Sequence, residues 1–275
     1  MKIVFTFFLL QLAFFSDSFA SLSQIRGKDE DYQGVFVLEK FKEFLDWGTF
    51  HWDGFKKPPL SRYHTFKKCF EHFIQNKGKI IVELGTTRSF THGANPGCNL
   101  DDRSYWTPNL PENWDWGAGF FTRMAAMCLY SCVDKIYTVD INPSHIARCK
   151  IITEDYREIL EYRVTSSVDF LNECNLSNSI DLLYLDTGDM TPIEPTALLQ
   201  LDEVKIVVKR NLLSPNGLIL IDDVKNQTPK KFGDKSGLGK SKYSIPYLLE
   251  HGYEIIMDEY QVILRRAPRT DFSIE

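Results

Sequence analysis

The sequence lacks most of the features that would place a chain of 275 residues in a specialised class. Its net charge of −5 provides no broad basic field of the kind that drives sequence-independent binding to nucleic acids, so we expect no nucleic-acid partner. No apolar run reaches the roughly 20 residues of a transmembrane helix, so we expect no stable membrane span. The cysteines form no CxxC pair, which excludes the common zinc-finger pattern.

Residues 1–20 have the pattern of a secretion signal. Lys2 supplies a positive start, residues 3–15 are mostly apolar, and Ser18 and Ala20 are small residues at a candidate cleavage site. If the segment is removed after Ala20, the protein is secreted, periplasmic or lumenal. The alternative is an uncleaved N-terminal anchor or buried helix, and the protein would then be cytoplasmic or membrane-associated.

The six cysteines could pair in the oxidising compartment that a secretion signal implies. Most of them fall in apolar segments with regular periodicity, where a thiol behaves as a small buried hydrophobe. We therefore expect buried thiols rather than disulfides. The cysteines are Cys69, Cys98, Cys128, Cys132, Cys149 and Cys174.

Residues 21–78 are predicted to form an N-terminal helical extension. Apolar residues recur at helical spacing over 35–47. Ser61 can cap a second helix over 62–76, which Gly78 ends.

Residues 79–275 are predicted to form the main domain, in which short apolar runs alternate with helical stretches. Continuous apolar strands that alternate with helices indicate a parallel sheet covered on both faces. The last two runs are close enough to form a hairpin. The predicted fold is therefore α/β: a Rossmann-like, doubly wound, mostly parallel seven-stranded sheet with an antiparallel C-terminal hairpin. The predicted strands are 80–84, 136–140, 159–164, 180–185, 218–221, 253–256 and 261–264, and the predicted helices are 119–131, 144–152, 167–174, 195–211 and 244–250.

Two residues at neighbouring strand ends predict a nucleoside site. In doubly wound sheets, ligands bind at the carboxyl ends of the strands. Gly85 follows the first strand and permits close backbone approach to a ligand. The further glycines that the GxGxxG dinucleotide motif requires do not follow it. Asp140 ends the second strand, where its carboxylate could accept hydrogen bonds from both ribose hydroxyls. Both are also common turn residues, so the prediction rests on their combination at consecutive strand ends.

Four segments in order, VELGTTRS, YTVDINP, IDLLYLDTGD and LLSPNGLILIDDV, resemble class I S-adenosylmethionine-dependent methyltransferases over residues 79–265. The resemblance implies that S-adenosylmethionine is bound by a first loop and by the acid that ends the second strand. Where the family often places an acid near the adenine, this sequence has Ser166-Ser167. The cofactor-binding residues expected from the resemblance are Glu83, Gly85, Thr86, Asp140 and Ser167. An insertion over 89–116 is a candidate substrate loop.

Three acids follow the fourth and fifth strands: Asp186, Asp222 and Asp223. Carboxylates that converge repel one another unless a cation neutralises them. The pattern resembles metal-dependent O-methyltransferases of the catechol and macrolide-sugar types, which implies that these acids bind Mg²⁺. Alternatively, the acids only cap or shape their loops. Asp189 stands where several relatives have a Lys or His base, so Asp186 and Asp189 are the candidate catalytic residues.

A loop rich in lysine and glycine follows the fifth strand. It could be a mobile lid for an acidic or phosphorylated acceptor, or simply a solvated loop. Its lysines are Lys225, Lys230, Lys231, Lys235, Lys240 and Lys242.

The resemblance implies an enzyme that methylates the hydroxyl of a small molecule or sugar. The alternatives are a catalytically degenerate secreted binding protein on the same fold and a nicotinamide-dependent oxidoreductase. No motif predicts the acceptor or the oligomeric state.

Overall fold

The computed structural model describes residues 62–86, 120–189, 192–224 and 236–268, together with Leu38, Glu39, Lys42 and Leu45, which have helical backbone. Several predictions concern residues outside this part of the chain. They are the secretion signal over 1–20, the cap at Ser61, the insertion over 89–116, Cys98 and the lysines from Lys225 to Lys235.

Helices and strands alternate along the described chain. The helices are α1 (Arg62–Gln75), α2 (Phe120–Leu129), α3 (Pro143–Ile152), α4 (Ser167–Glu173), α5 (Ile193–Lys209) and α6 (Ser244–Glu250). The strands are β1 (Ile80–Leu84), β2 (Lys135–Asp140), β3 (Leu160–Val164), β4 (Ile180–Leu185), β5 (Leu213–Ile221), β6 (Tyr253–Asp258) and β7 (Val262–Arg266). Short 3-10 helices span Glu154–Tyr156 and Gly239–Ser241.

The seven strands form one sheet in the order β3-β2-β1-β4-β5-β7-β6. The first five strands are parallel, whereas β7 is antiparallel to both β5 and β6. The predicted Rossmann-like fold with a C-terminal hairpin is therefore confirmed. The strand order reverses direction between β1 and β4, which is the position where such sheets bind ligands.

Strand β5 begins five residues earlier than predicted, at Leu213 rather than Leu218. Pro215, Asn216 and Gly217 are residue types common in turns. Instead the strand continues through them with an irregularity in its pairing with β4. Gly217 makes this possible because a β-carbon there would lie 2.5 Å from the backbone oxygen of Ile180.

Hydrophobic side chains cover both faces of the sheet. On one face, Phe66 of α1 packs against Phe121 of α2 and Tyr184 of β4, with ring centroids 5.5 and 5.8 Å away. On the other, Val204 of α5 and Leu248 of α6 join the residues of the strands in a second cluster. Helix α1 thus shares the core of the sheet, and the domain boundary at residue 78 stays a prediction.

The two helices after β2 and β3 begin almost directly at the strand ends. The Asn142 side chain accepts a hydrogen bond from the Ser144 amide, and Pro143 occupies the first position of α3. The Ser166 hydroxyl accepts one from the Asp169 amide at the start of α4. These caps fix the short loops that surround the carboxyl edge of the sheet.

The five cysteines in the described part of the chain are thiols, not disulfides, and Cys69, Cys128 and Cys149 are buried. Within the same part of the chain, every helix is too short or too polar to cross a membrane.

Candidate functional site

The candidate site lies at the carboxyl edge of four adjacent parallel strands. Leu84 of β1 pairs with Val139 of β2 on one side and with Leu185 of β4 on the other. In turn, Leu185 pairs with Ile221 of β5. The residues that follow these four positions are therefore neighbours along the edge, in the order Asp140, Gly85, Asp186 and Asp222.

Gly85 makes the tight turn at the point where the strand order reverses. Its φ angle is +83°, a conformation that favours glycine. A β-carbon at this position would lie 2.5 Å from the backbone oxygen of Asp186, so any side chain would collide with the end of β4. The Gly85 amide donates to the carbonyl of Val139 at 2.9 Å, which ties the turn to β2.

Asp140 faces this turn across the gap between β1 and β2. One carboxylate oxygen accepts a hydrogen bond from the Thr86 amide at 3.0 Å, and the other accepts one from the Asn142 amide at 2.8 Å. His145 places Nδ1 at 3.1 Å from the first of these oxygens. Within the described residues, the His145 contact lacks hydrogen-bond geometry. Since a carboxylate oxygen has about two lone-pair sites, each Asp140 oxygen can accept a further donor. Such a fixed, bidentate acceptor fits the two hydroxyls of a ribose.

Glu83 lies beneath the Gly85 turn. Its carboxyl is buried and accepts hydrogen bonds from the hydroxyls of Thr122 and, at 2.6 Å, Thr138. Burial raises the pKa of Glu83 to about 7, although the threonine hydroxyls act in the opposite direction. We find that Glu83 joins α2, β1 and β2 under the loop, so any contact with a cofactor would be through the Gly85 turn.

Ser167, also predicted to bind the cofactor, is buried at the start of α4 beside Glu203 of α5. The Thr187 hydroxyl donates to the Glu203 carboxyl at 3.0 Å. Burial raises the pKa of Glu203 to about 7 despite the hydroxyls of Ser167 and Thr187. This buried carboxyl links the loop after β4 to α5.

The Glu203→Gln variant should be more stable than the wild type at pH 8 but not at pH 4. The folded protein keeps a proton on Glu203 that the unfolded chain loses, because the pKa rises from 4.5 to about 7 on folding. The free energy of unfolding therefore falls as the pH rises through this window and stays lowered above it. An uncharged glutamine removes that loss, and we expect a gain of about 3 kcal/mol at pH 8, since one pKa unit corresponds to about 1.4 kcal/mol.

Urea titrations at both pH values measure this difference, and the exposed Glu173 provides the matched control. Glu173→Gln should change the stability by less than about 0.5 kcal/mol at either pH. Equal stabilisation of Glu203→Gln at pH 4 and pH 8 would contradict the assignment of a buried ionising group.

The three predicted metal ligands do come together. Asp186, Asp222 and Asp223 each offer an oxygen within 4.8 Å of the others, at the ends of β4 and β5. Asp223 has a φ of +57°, a left-handed conformation that non-glycine residues seldom adopt. We call these three residues the acid cluster.

Lys240 lies inside the acid cluster. Its side chain is completely buried, and Nζ is 2.8 Å from Asp186 Oδ1 and 3.1 Å from Asp223 Oδ2. Burial disfavours the ammonium charge, but Asp186, Asp223 and Asp222 outweigh it and raise the pKa of Lys240 above its ordinary value. Lys240 therefore carries a positive charge at physiological pH.

Arg62, the first residue of α1, is the second cation. Its Nε is 3.0 Å from Asp222 Oδ1, and Nη2 is 3.2 Å from Asp223 Oδ1. The guanidinium also donates to the Tyr260 hydroxyl at 3.1 Å and lies over the Tyr260 ring, 4.3 Å from its centroid. Arg62 is therefore a buried ionic link between α1 and the end of β5.

Neutral side chains complete the hydrogen bonds of the acid cluster. The hydroxyl of Tyr184 donates to Asp222 at 2.9 Å, and the Gln261 amide donates to it at 3.1 Å. The Tyr260 hydroxyl donates to Asp223 at 2.6 Å. Burial alone would raise the pKa of Asp223, but Lys240, Arg62 and Tyr260 hold it well below its usual range.

A divalent ion does not fit the acid cluster as it is built. Two protein cations already offset most of its negative charge, and Lys240 Nζ lies between the oxygens that a Mg²⁺ ion would need. Converging acids do require cations, but here the chain supplies them itself, as Lys240 and Arg62. We therefore derive no catalytic step from a metal.

Asp189, the other candidate base, lies in the exposed part of the loop after β4. Its carbonyl accepts a hydrogen bond from the Thr196 hydroxyl at 2.7 Å. Asp186, by contrast, belongs to the acid cluster, with 26% of its side chain exposed.

No sequence pattern predicted roles for Arg62, Tyr184, Tyr260 and Gln261, and Lys240 was recognised only as part of a lysine-rich loop. A signal was available for Lys240, because three acids predicted to converge imply a nearby cation. No local pattern distinguishes Arg62, which lies 160 residues from Asp222.

No protein-family model and no curated protein matches this sequence. Among solved structures, the chain is similar to an S-adenosylhomocysteine-bound methyltransferase from Podospora anserina, at 16% identity and a TM-score of 0.47 over 84% of this chain and 87% of that one. An O-methyltransferase from Bacillus cereus in complex with S-adenosylhomocysteine is 12% identical, with a TM-score of 0.47 over 88% and 92%. The N-methyltransferase NodS from Bradyrhizobium japonicum is 11% identical, with a TM-score of 0.45 over 74% and 95%. These likenesses concern the fold alone, and an assignment of function must rest on the residues of the site.

Proposed function

We propose that the protein is an S-adenosylmethionine-dependent methyltransferase that binds the methyl donor at the ends of β1 and β2. The observation that carries this proposal is the pairing of Gly85 with Asp140. A side-chain-free turn and a fixed carboxylate lie next to each other, joined by the hydrogen bond from the Thr86 amide to Asp140.

Each part of this pair has a separate task in donor binding. The Asp140 carboxylate, held by the amides of Thr86 and Asn142, would accept hydrogen bonds from the ribose hydroxyls. The Gly85 turn would let the amino-acid part of the donor approach the backbone closely. Glu83 and its two threonine partners support the turn from below.

The acceptor is proposed to be a hydroxyl of a small molecule or sugar, bound in front of Asp186. When bound, the donor supplies a methyl group on a positively charged sulfur, which an oxygen nucleophile can attack in line. The protein contributes mainly by positioning the two reactants. Asp186, next to Gly85 and partly exposed, is the proposed acceptor of the hydroxyl proton, with Asp189 as the second candidate.

Calorimetric titration of the full chain tests the donor assignment. S-adenosylhomocysteine should bind with a dissociation constant of about 1 to 100 μM, and NADH should not bind. Absence of binding at about 1 mM S-adenosylhomocysteine would instead favour a degenerate binding protein on this fold. Binding of NADH in its place would favour an oxidoreductase.

The Asp140→Ala variant should bind S-adenosylhomocysteine about 30- to 100-fold more weakly than the wild type. The change removes two charge-assisted hydrogen bonds to the ribose, which contribute about 2 to 3 kcal/mol. Asp202→Ala, which removes an exposed carboxylate paired with Lys205 on α5, is the matched control and should leave the affinity unchanged. If Asp140→Ala binds S-adenosylhomocysteine within threefold of the wild-type affinity, Asp140 does not bind the ribose.

A further inference from the structure

We propose that Lys240 is a built-in cation of the acid cluster and that the cluster therefore binds no divalent metal ion. The inference rests on the position of one ammonium group and on the hydrogen bonds of the carboxylates. It does not depend on the proposed methyl donor, whose site lies at the ends of β1 and β2.

The Lys240 ammonium occupies the place that the sequence pattern assigned to Mg²⁺. It bridges Asp186 at the end of β4 and Asp223 after β5, with Nζ–O distances of 2.8 and 3.1 Å. No part of its side chain is exposed. Lysine side chains are seldom completely buried unless their charge is paired, and here the ammonium forms ion pairs with two carboxylates. Lys240 is therefore a fixed part of the site.

Most of the carboxylate oxygens of the cluster already have protein partners. Both oxygens of Asp222 accept from the Arg62 Nε–H, and they also accept from Gln261 and Tyr184. Of the two Asp223 oxygens, one accepts from Arg62 and Tyr260 and the other pairs with Lys240. A metal ion would have to displace these donors and would also place its charge beside two buried cations.

The backbone around Lys240 holds the ammonium in this position. Lys240 lies in the 3-10 helix Gly239–Ser241, where the Ser241 amide donates to the Leu238 carbonyl at 3.0 Å. In the helix that follows, the Ser244 hydroxyl donates to Gln200 of α5 at 2.7 Å. The segment is thereby anchored to α5, so the ammonium is directed inward by the fold.

A Mn²⁺ titration of the full chain, followed by calorimetry and electron paramagnetic resonance, tests the inference. Mn²⁺ is the probe because oxygen-ligand sites take Mg²⁺ and Mn²⁺ alike. The wild type should show no Mn²⁺ site tighter than about 1 mM, whereas Lys240→Ala should gain one site at least about tenfold tighter. Lys242→Ala removes the same charge two residues away, where Lys242 pairs with Glu194, and should gain no site.

Two results would overturn the inference. One is a wild-type protein that binds one Mn²⁺ ion below about 0.1 mM and loses it in Asp223→Asn. The other is a folded Lys240→Ala protein with no gain in Mn²⁺ affinity. If Lys240→Ala does not fold, the melting temperature of the wild type is measured with Mn²⁺ and with a chelator. An unchanged melting temperature supports the inference. The inference is overturned if Mn²⁺ raises the melting temperature and Asp223→Asn abolishes that rise. None of these measurements uses a nucleoside, so they fail or succeed independently of the S-adenosylhomocysteine titration.

Discussion

Replacing Arg62 by methionine should lower the free energy of unfolding by about 3 to 5 kcal/mol. Methionine retains much of the apolar stem of arginine but not the guanidinium that links Asp222, Asp223 and Tyr260. Without it, Lys240 is the one cation left beside the two buried carboxylates within the described residues, and the penalty for burying their charge is no longer offset. Urea denaturation, followed by circular dichroism, measures the loss.

The exposed pair of Arg265 and Glu254, 2.7 Å apart on neighbouring strands, provides the matched control. Arg265→Met should cost less than about 1 kcal/mol, because solvent screens an exposed ion pair. Adding Asp222→Asn to Arg62→Met should recover part of the loss, since one uncompensated charge is removed. A loss below about 1 kcal/mol for Arg62→Met would contradict the role of Arg62 as a buried ionic link.

The fold could be predicted from the sequence because its signals are local. Runs such as Ile80–Leu84 and Ile180–Leu185 are apolar apart from one acid each, which indicates strands covered on both faces. The Asn142-Pro143 pair marks the start of a helix directly after a strand. Since all parallel strands end at one edge, the same reasoning predicted that Gly85 and Asp140 would be neighbours.

The charge balance of the site could not be predicted in the same way. The order of the strands predicts that Asp186, Asp222 and Asp223 converge and repel one another. From the sequence alone, a metal ion was expected to offset that repulsion. The cations that offset it come from a helix N-terminal to the sheet and from the loop before α6. Arg62 and Asp222 are 160 residues apart, so their contact depends on how α1 packs on the sheet. A hydrophobic pattern fixes which face of α1 is buried but does not predict an ion pair at its first residue.

Replacing Gly85 by alanine should lower the free energy of unfolding by about 3 kcal/mol, through two separable effects. The left-handed backbone at φ +83° costs alanine about 1 kcal/mol. The new β-carbon would lie 2.5 Å from the Asp186 backbone oxygen, and moving the ends of β1 and β4 apart costs about 2 kcal/mol more. Affinity for S-adenosylhomocysteine should fall as well, because the turn that approaches the donor is displaced.

Gly252 separates the two effects, since its φ of +81° is almost the same and a β-carbon there would meet no atom of the described residues within 4 Å. Gly252→Ala should therefore lose only about 1 kcal/mol and keep its affinity for S-adenosylhomocysteine. The difference between the two variants, measured by urea denaturation, is the cost of the contact between the ends of β1 and β4. If both variants lose the same free energy of unfolding, the contact between residue 85 and the Asp186 backbone does not exclude a β-carbon. A side chain could then be accommodated where we place the methyl donor.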